Sequence, residues 1–205
     1  MIGLLKKDVM SFSGQTKIYL LVILLYGVFS FFSKDASMFS VLVSLFGAMY
    51  VVTAMAYDEK SGWNKYALTM PVSRDDIVIA KYLLGALFTA CAFILNIVMA
   101  FAVAPGNLLE SIYQVLPFAG IALFYIAVVL PILFKLGVEK GRMMMLVAFF
   151  APTILFLFIK ESGINLDWLT EDLLNRIIPF TPVFIVLLLI GSAWLSCRIF
   201  RKKEL

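Results

Sequence analysis

The sequence predicts an all-α, polytopic membrane protein. It has six transmembrane helices, both termini in the cytoplasm and an N-terminal interfacial helix, in a single transmembrane domain over residues 1–205. Three observations predict this. Hydrophobic residues make up 63% of the chain, where a soluble domain has about half, and the mean hydropathy is +1.02. Apolar runs long enough to span a bilayer recur from end to end. Lysine and arginine gather in alternate loops. Lipid offers no hydrogen-bond partners, so spans of such continuous apolarity must be helices that satisfy their own backbone.

Residues 2–15 form the interfacial helix. Ile2, Leu5, Val9 and Phe12 share one face, with Lys7, Ser11 and Gln15 opposite, the pattern of a helix lying among lipid headgroups. The spans follow at about 18–33, 36–57, 81–104, 112–134, 143–159 and 180–198. At 1.5 Å per residue the second is about 33 Å long, enough to cross a hydrocarbon core. The first and fifth are short and borrow flanking residues such as Thr16 and Lys160.

Residues 58–80 form the largest loop on the positive side. Trp63, Tyr66, Ala67 and Met70 recur at helical spacing. Pro71 ends that helix, because proline disfavours the α conformation in the residue before it. Ser73 then caps a new helix, with Asp75 and Asp76 in its first turn at the positive end of the dipole. This helix runs into the third span. Gly137 and Gly141 allow a tight turn in the second inner loop, 135–142. On the outer side, residues 160–179 carry a helix capped by Thr170, with an apolar face of Trp168, Leu169, Leu173, Leu174 and Ile177.

With both termini inside, 14 of the 17 lysines and arginines lie in cytoplasmic segments; only Lys34, Lys160 and Arg176 lie outside. The basic charge is therefore a topology signal, and nucleic acid is not an expected partner.

The chain lacks the groups that chemistry requires. It has no histidine, the commonest general base and metal ligand. Cys91 and Cys197 lie far apart in apolar runs and read as small buried apolar residues. No P-loop occurs, since Gly137 and Gly141 are not followed by Lys-Ser or Lys-Thr. Neither H-E-x-x-H nor G-x-S-x-G occurs. No catalytic residue, metal site or cofactor is expected in this chain.

Every charged residue falls at a span end or in a loop; the polar groups within spans are neutral, Ser44, Thr53, Thr89, Asn96 and Thr153 among them. Asn96 is the deepest amide, and it reads first as hydrogen-bond glue between helices. Pro131 and Pro152 read as kinks. A transporter without its own ion relay takes its energy elsewhere, which points to a separate cytoplasmic ATPase holding ATP and Mg. The 58–80 segment is the expected dock. Trp63, Tyr66 and Met70 fill a groove on the partner, and Lys65 and Arg74 pair with its acidic rim. An aromatic belt at the headgroups is the other reading of Trp63 and Tyr66. Asp58 and Glu59 brace the loop against cations of the N-terminal helix.

The run Asp58-Glu59-Lys60-x-x-Trp63-Asn64-Lys65-Tyr66-x-Leu68-Thr69-x-Pro71-Val72-Ser73-Arg74, followed by Ile77-Val78 and Lys81-Tyr82, resembles small bacterial permease subunits of ABC-type exporters, the type-2 ABC membrane family. The opening Met1-x-Gly3-Leu4-Leu5-x-Lys7-Asp8 is similar to that family's as well. The resemblance implies that two permeases pair, as identical copies or paralogues, in the bacterial plasma membrane, each with one ATPase subunit. It makes 58–80 the coupling element and carries that role onto Trp63, Tyr66, Pro71, Ser73 and Arg74. It implies export of amphipathic peptides, antimicrobial or cytolytic ones included. The alternatives are an exporter of lipids or hydrophobic drugs, or an anchor or sensor subunit of an envelope complex.

Overall fold

The computed structural model describes residues 2–11, 16–106, 108–144, 158 and 181–203. Among these residues the regular structure is entirely helical. The helices are α1 (Ile2–Ser11), α2 (Thr16–Ser33), α3 (Ser37–Lys60), α4 (Trp63–Ala67), α5 (Arg74–Val103), α6 (Leu108–Leu136) and α7 (Thr181–Arg201). A further helical stretch covers 138–144.

The helices α3, α5, α6 and α7 are long and apolar enough to cross a membrane, which makes the protein a multi-pass membrane protein. The Lys17–Ser33 stretch of α2 is apolar but shorter. The expected span at 143–159 and the outer helix at 160–179 lie outside the described residues, apart from positions 143, 144 and 158.

Several helices outrun their expected spans. The third span is the membrane part of a 30-residue helix, because the charged first turns of α5 continue into it without a break. Its start is set locally. The Ser73 hydroxyl accepts the Asp76 N–H at 3.1 Å, and the Asp76 carboxylate accepts the Ser73 N–H at 3.0 Å, a reciprocal capping box. At α3 the Asp35 carboxylate accepts the Ser37 N–H at 2.8 Å, which holds its carboxyl below the usual range.

Helices α3, α5 and α6 pack on one another, α7 packs on α5 and α6, and α2 lies against α3 and α5. The main core sits at one end of the bundle, where Met55, Ile77, Leu133, Phe134, Val138 and Phe200 are buried together. Towards lipid the apolar side chains are bare: Leu24, Phe32, Ile94 and Ile190 are all exposed. That is the expected surface for helices solvated by hydrocarbon.

The chain turns at glycines around this core. Gly62, at φ +65°, separates α3 from α4, and Gly137, at φ +79°, ends α6. Gly141 is no part of a turn; it lies within helix 138–144. A Cβ at Gly137 would meet Glu59 Oε1 at 2.6 Å, in a left-handed conformation that L side chains disfavour. Gly137→Ala is expected to destabilise the fold by about 1–3 kcal/mol. The unfolding midpoint in detergent micelles measures it; an unchanged midpoint would contradict the geometry.

Candidate functional site

The charged pole of the bundle, around residues 58–80, is built on four buried or half-buried charges. Asp8, Asp58 and Lys81 are 2%, 7% and 3% exposed. Lys7 Nζ lies 2.5 Å from Asp58 Oδ1 and 3.0 Å from Asp8 Oδ1. Lys81 Nζ donates to Asp8 Oδ2 at 2.7 Å. It also meets Asp58 Oδ2 at 2.6 Å, as an ion pair rather than an aligned hydrogen bond. Each cation touches both anions, so the ring is closed and neutral. Burial of charge is tolerable only with such compensation. Tyr50 adds a hydrogen bond from its hydroxyl to the Asp8 carbonyl at 2.5 Å.

Helix α1 presents an unexpected face to this ring. Leu4, Leu5 and Lys7 are half-buried and Asp8 is buried, while Val9 is exposed. Lys7, expected on the solvent side, is turned inward because Asp58 and the Trp63 ring await it; its ammonium stands 4.5 Å above that ring.

Residues of the 58–80 segment divide into inward and outward sets. The helical stripe is shorter than its spacing suggests, since α4 ends at Ala67. Thr69 and Met70 then donate their N–H groups three residues back, to Tyr66 and Ala67 at 3.1 and 3.2 Å. Ala67 is buried and Trp63 packs against the main core. Tyr66 is 66% exposed and Met70 49%; Lys65 and Pro71 are exposed beside them. Ser73 serves as the α5 cap.

Arg74, expected to pair with a partner's acidic rim, has partners within the chain. Its guanidinium donates to the Arg201 carbonyl at 2.7 Å and the Lys203 carbonyl at 2.9 Å, with a longer bond to Phe200 at 3.4 Å. In return Arg201 grips the Asp75 carboxylate with two nitrogens, Nε at 2.8 Å. Lys203 Nζ donates to the Phe134 carbonyl at 3.2 Å. The start of α5 is thereby clasped to the end of α7 and the residues just after it, where carbonyls at a helix C-terminus accept cations readily.

The two expected braces also part company. Asp58 reaches the N-terminal helix through Lys7. Glu59 does not: its carboxylate accepts the Val138 N–H at 2.5 Å, because the turn at Gly137 aims that donor at it. Between these braces opens a cleft of about 310 Å³. Met55, Leu133, Phe134 and Phe200 line it together with Lys65 and Lys203.

Away from the pole, Asn96 is fully buried and donates to Ser44 Oγ at 2.9 Å and the Ser40 carbonyl at 3.4 Å. It ties α5 to α3. Asn96→Leu is expected to cost about 0.6–1.7 kcal/mol, measured by unfolding in mixed micelles; a more stable variant would overturn the tie. Tyr82 similarly meets Ser192 Oγ at 2.6 Å and Ser196 Oγ at 2.8 Å, joining α5 to α7. Of the cysteines, Cys91 is exposed rather than buried, on the bundle surface, and Cys197 is half-buried; neither is in a disulfide. No group of His, Cys, Asp and Glu suited to a metal occurs among the described residues.

Sequence reasoning missed the partnership of Asp8 and Lys81. A signal existed for Asp8: it lies three and four residues after Leu5 and Leu4, on the face those leucines bury. Lys81 carries no comparable signal, because a lysine at a span end is ordinary.

The comparisons with known proteins agree with this architecture. A family model described as ABC-2 family transporter protein matches residues 3–201. No curated protein and no solved structure matches significantly. A multi-pass helical bundle matched over nearly its whole length by that model belongs to the ABC-2 transporter family.

Proposed function

We propose that the chain is the membrane permease of an ATP-driven exporter, and that its 58–80 segment docks a separate ATPase subunit holding ATP and Mg. In this reading the chain crosses the bacterial plasma membrane six times. Both termini and the 58–80 segment are cytoplasmic, which keeps 14 of 17 basic residues inside. Two permeases pair, and each carries one ATPase.

The observation that supports docking most is the division of residues 63–70. Trp63 and Ala67 anchor the segment in the core, which leaves Tyr66 and Met70 exposed on a rigid mount. An aromatic ring and a pliable thioether on a fixed base make good interface anchors. Beyond the charged pole, the buried polar groups among the described residues are neutral, Ser44, Thr89 and Asn96 among them. Such an interior suits an amphipathic peptide better than an ion.

The test is purification of the complex from native membranes, then ATPase assay with and without an amphipathic helical peptide. A co-purified ATPase whose turnover changes with peptide is the expected result. A complex without ATPase would overturn the exporter reading and favour an anchoring role. Turnover indifferent to peptides but sensitive to lipid or a hydrophobic drug would overturn the cargo.

A further inference from the structure

We propose that the Lys7–Asp58–Lys81–Asp8 ring is a transmission joint through which displacement of the 58–80 segment moves helix α1 at the membrane surface. The inference rests on the docking role proposed above for that segment.

Three attachments carry it. Asp58 is the first residue of the segment, in the last turn of α3, and holds Lys7 at 2.5 Å. Trp63 lies within the segment, under the Lys7 ammonium at 4.5 Å. Lys81 lies just after it and holds Asp8 at 2.7 Å. Helix α1 is thus tied to the beginning, the middle and the end of one loop by two adjacent residues. Its other anchorage is one hydrogen bond, from the Tyr50 hydroxyl on α3 to the Asp8 carbonyl, and two leucines. Leu4 packs on the main core and Leu5 on the Tyr50–Ala54–Leu84 cluster, both only half-buried, and Val9 and Met10 are bare.

The joint is made of charge rather than interlocked apolar side chains, and this gives it compliance. Because each cation touches both anions, a shift of α1 that lengthens one contact leaves each charge a second partner. A packed apolar contact resists sliding, since interdigitated side chains must first separate. An ion ring can follow a moving loop without leaving a buried charge uncompensated. Losing a corner has the opposite effect and frees α1 from the loop.

Hydrogen exchange of the full chain in lipid nanodiscs, without any ATPase, tests the joint. Leu68→Ala/Val72→Ala loosens the segment where it packs on the core. With the ring intact, this pair is expected to speed α1 amide exchange at least about tenfold. In the background Asp58→Asn/Lys81→Met, which removes one charge of each sign, α1 exchange is expected to be fast already and to ignore the loosening. Lys81→Arg keeps the charge and is expected to preserve the response. Unchanged α1 exchange with the ring intact would overturn the joint, as would an equal response in both backgrounds. If the neutralised pair also loosens α6 and α7, Lys7→Gln replaces it, judged by the same two outcomes. The docking reading stands or falls separately, on co-purification.

Discussion

Lys81→Met is expected to lower the stability of the folded chain by about 3–5 kcal/mol, the loss typical when one partner of a buried ion pair is removed. The ammonium is the more deeply buried cation of the ring, with 4% of its side chain exposed against 28% for Lys7. Without it Asp8 and Asp58 share a single, half-exposed lysine, and the Oδ2 oxygens they aimed at Lys81 lose their cation. A buried carboxylate stripped of its counterion either faces its neighbour's charge or takes up a proton, and both cost free energy. Lys81→Arg keeps the charge and is expected to lose much less, although its planar fork fits the site imperfectly. Equilibrium unfolding in mixed micelles, followed by circular dichroism, measures all three chains. A loss below about 1 kcal/mol for Lys81→Met would mean that water compensates the ring as at a surface pair.

Tyr66→Ala/Met70→Ala is expected to weaken capture of the ATPase subunit at least about 30-fold, equivalent to about 2 kcal/mol, while the unfolding midpoint stays at the wild-type value. Both side chains are exposed, so truncation removes interface without opening a cavity. Trp63→Ala and Arg74→Glu are the contrasting pair. The first takes away the ring beneath Lys7 and part of the core contact. The second puts a carboxylate against three backbone carbonyls of the α7 end. Both are expected to unfold the pole, so partner loss in those variants reports on structure as much as docking. Pull-down of the ATPase by purified permease, read beside each variant's melting curve, separates the two effects. Wild-type capture by the Tyr66/Met70 variant would remove these residues from the interface.

What could be read from the sequence was whatever depends on near neighbours. The capping box at Ser73 needs only Asp76, three residues away. The turn at Gly137 needs only a residue that tolerates positive φ. The apolar runs mark α3, α5, α6 and α7 because each helix satisfies its own backbone. The candidate site was readable as a segment but not side chain by side chain. The stripe Trp63–Tyr66–Ala67–Met70 was visible, yet nothing local says that α4 stops at Ala67, or that Trp63 packs on the core while Tyr66 stays exposed.

The sequence by itself determined the membrane class, the helical architecture and the loop of interest, since hydropathy and capping act over a few residues. Packing settled which charges matter. Lys7 meets Asp58 across 51 positions, Lys81 meets Asp8 across 73, and Arg74 reaches Lys203 across 129. A lysine or aspartate at a helix end looks alike whether it faces water or a partner. Only when α1, α3, α5 and α7 converge at one pole does low dielectric force those charges into pairs. That convergence makes Asp8 and Lys81, ordinary terminal charges in the sequence, the centre of the pole, and gives Arg74 partners at the end of α7.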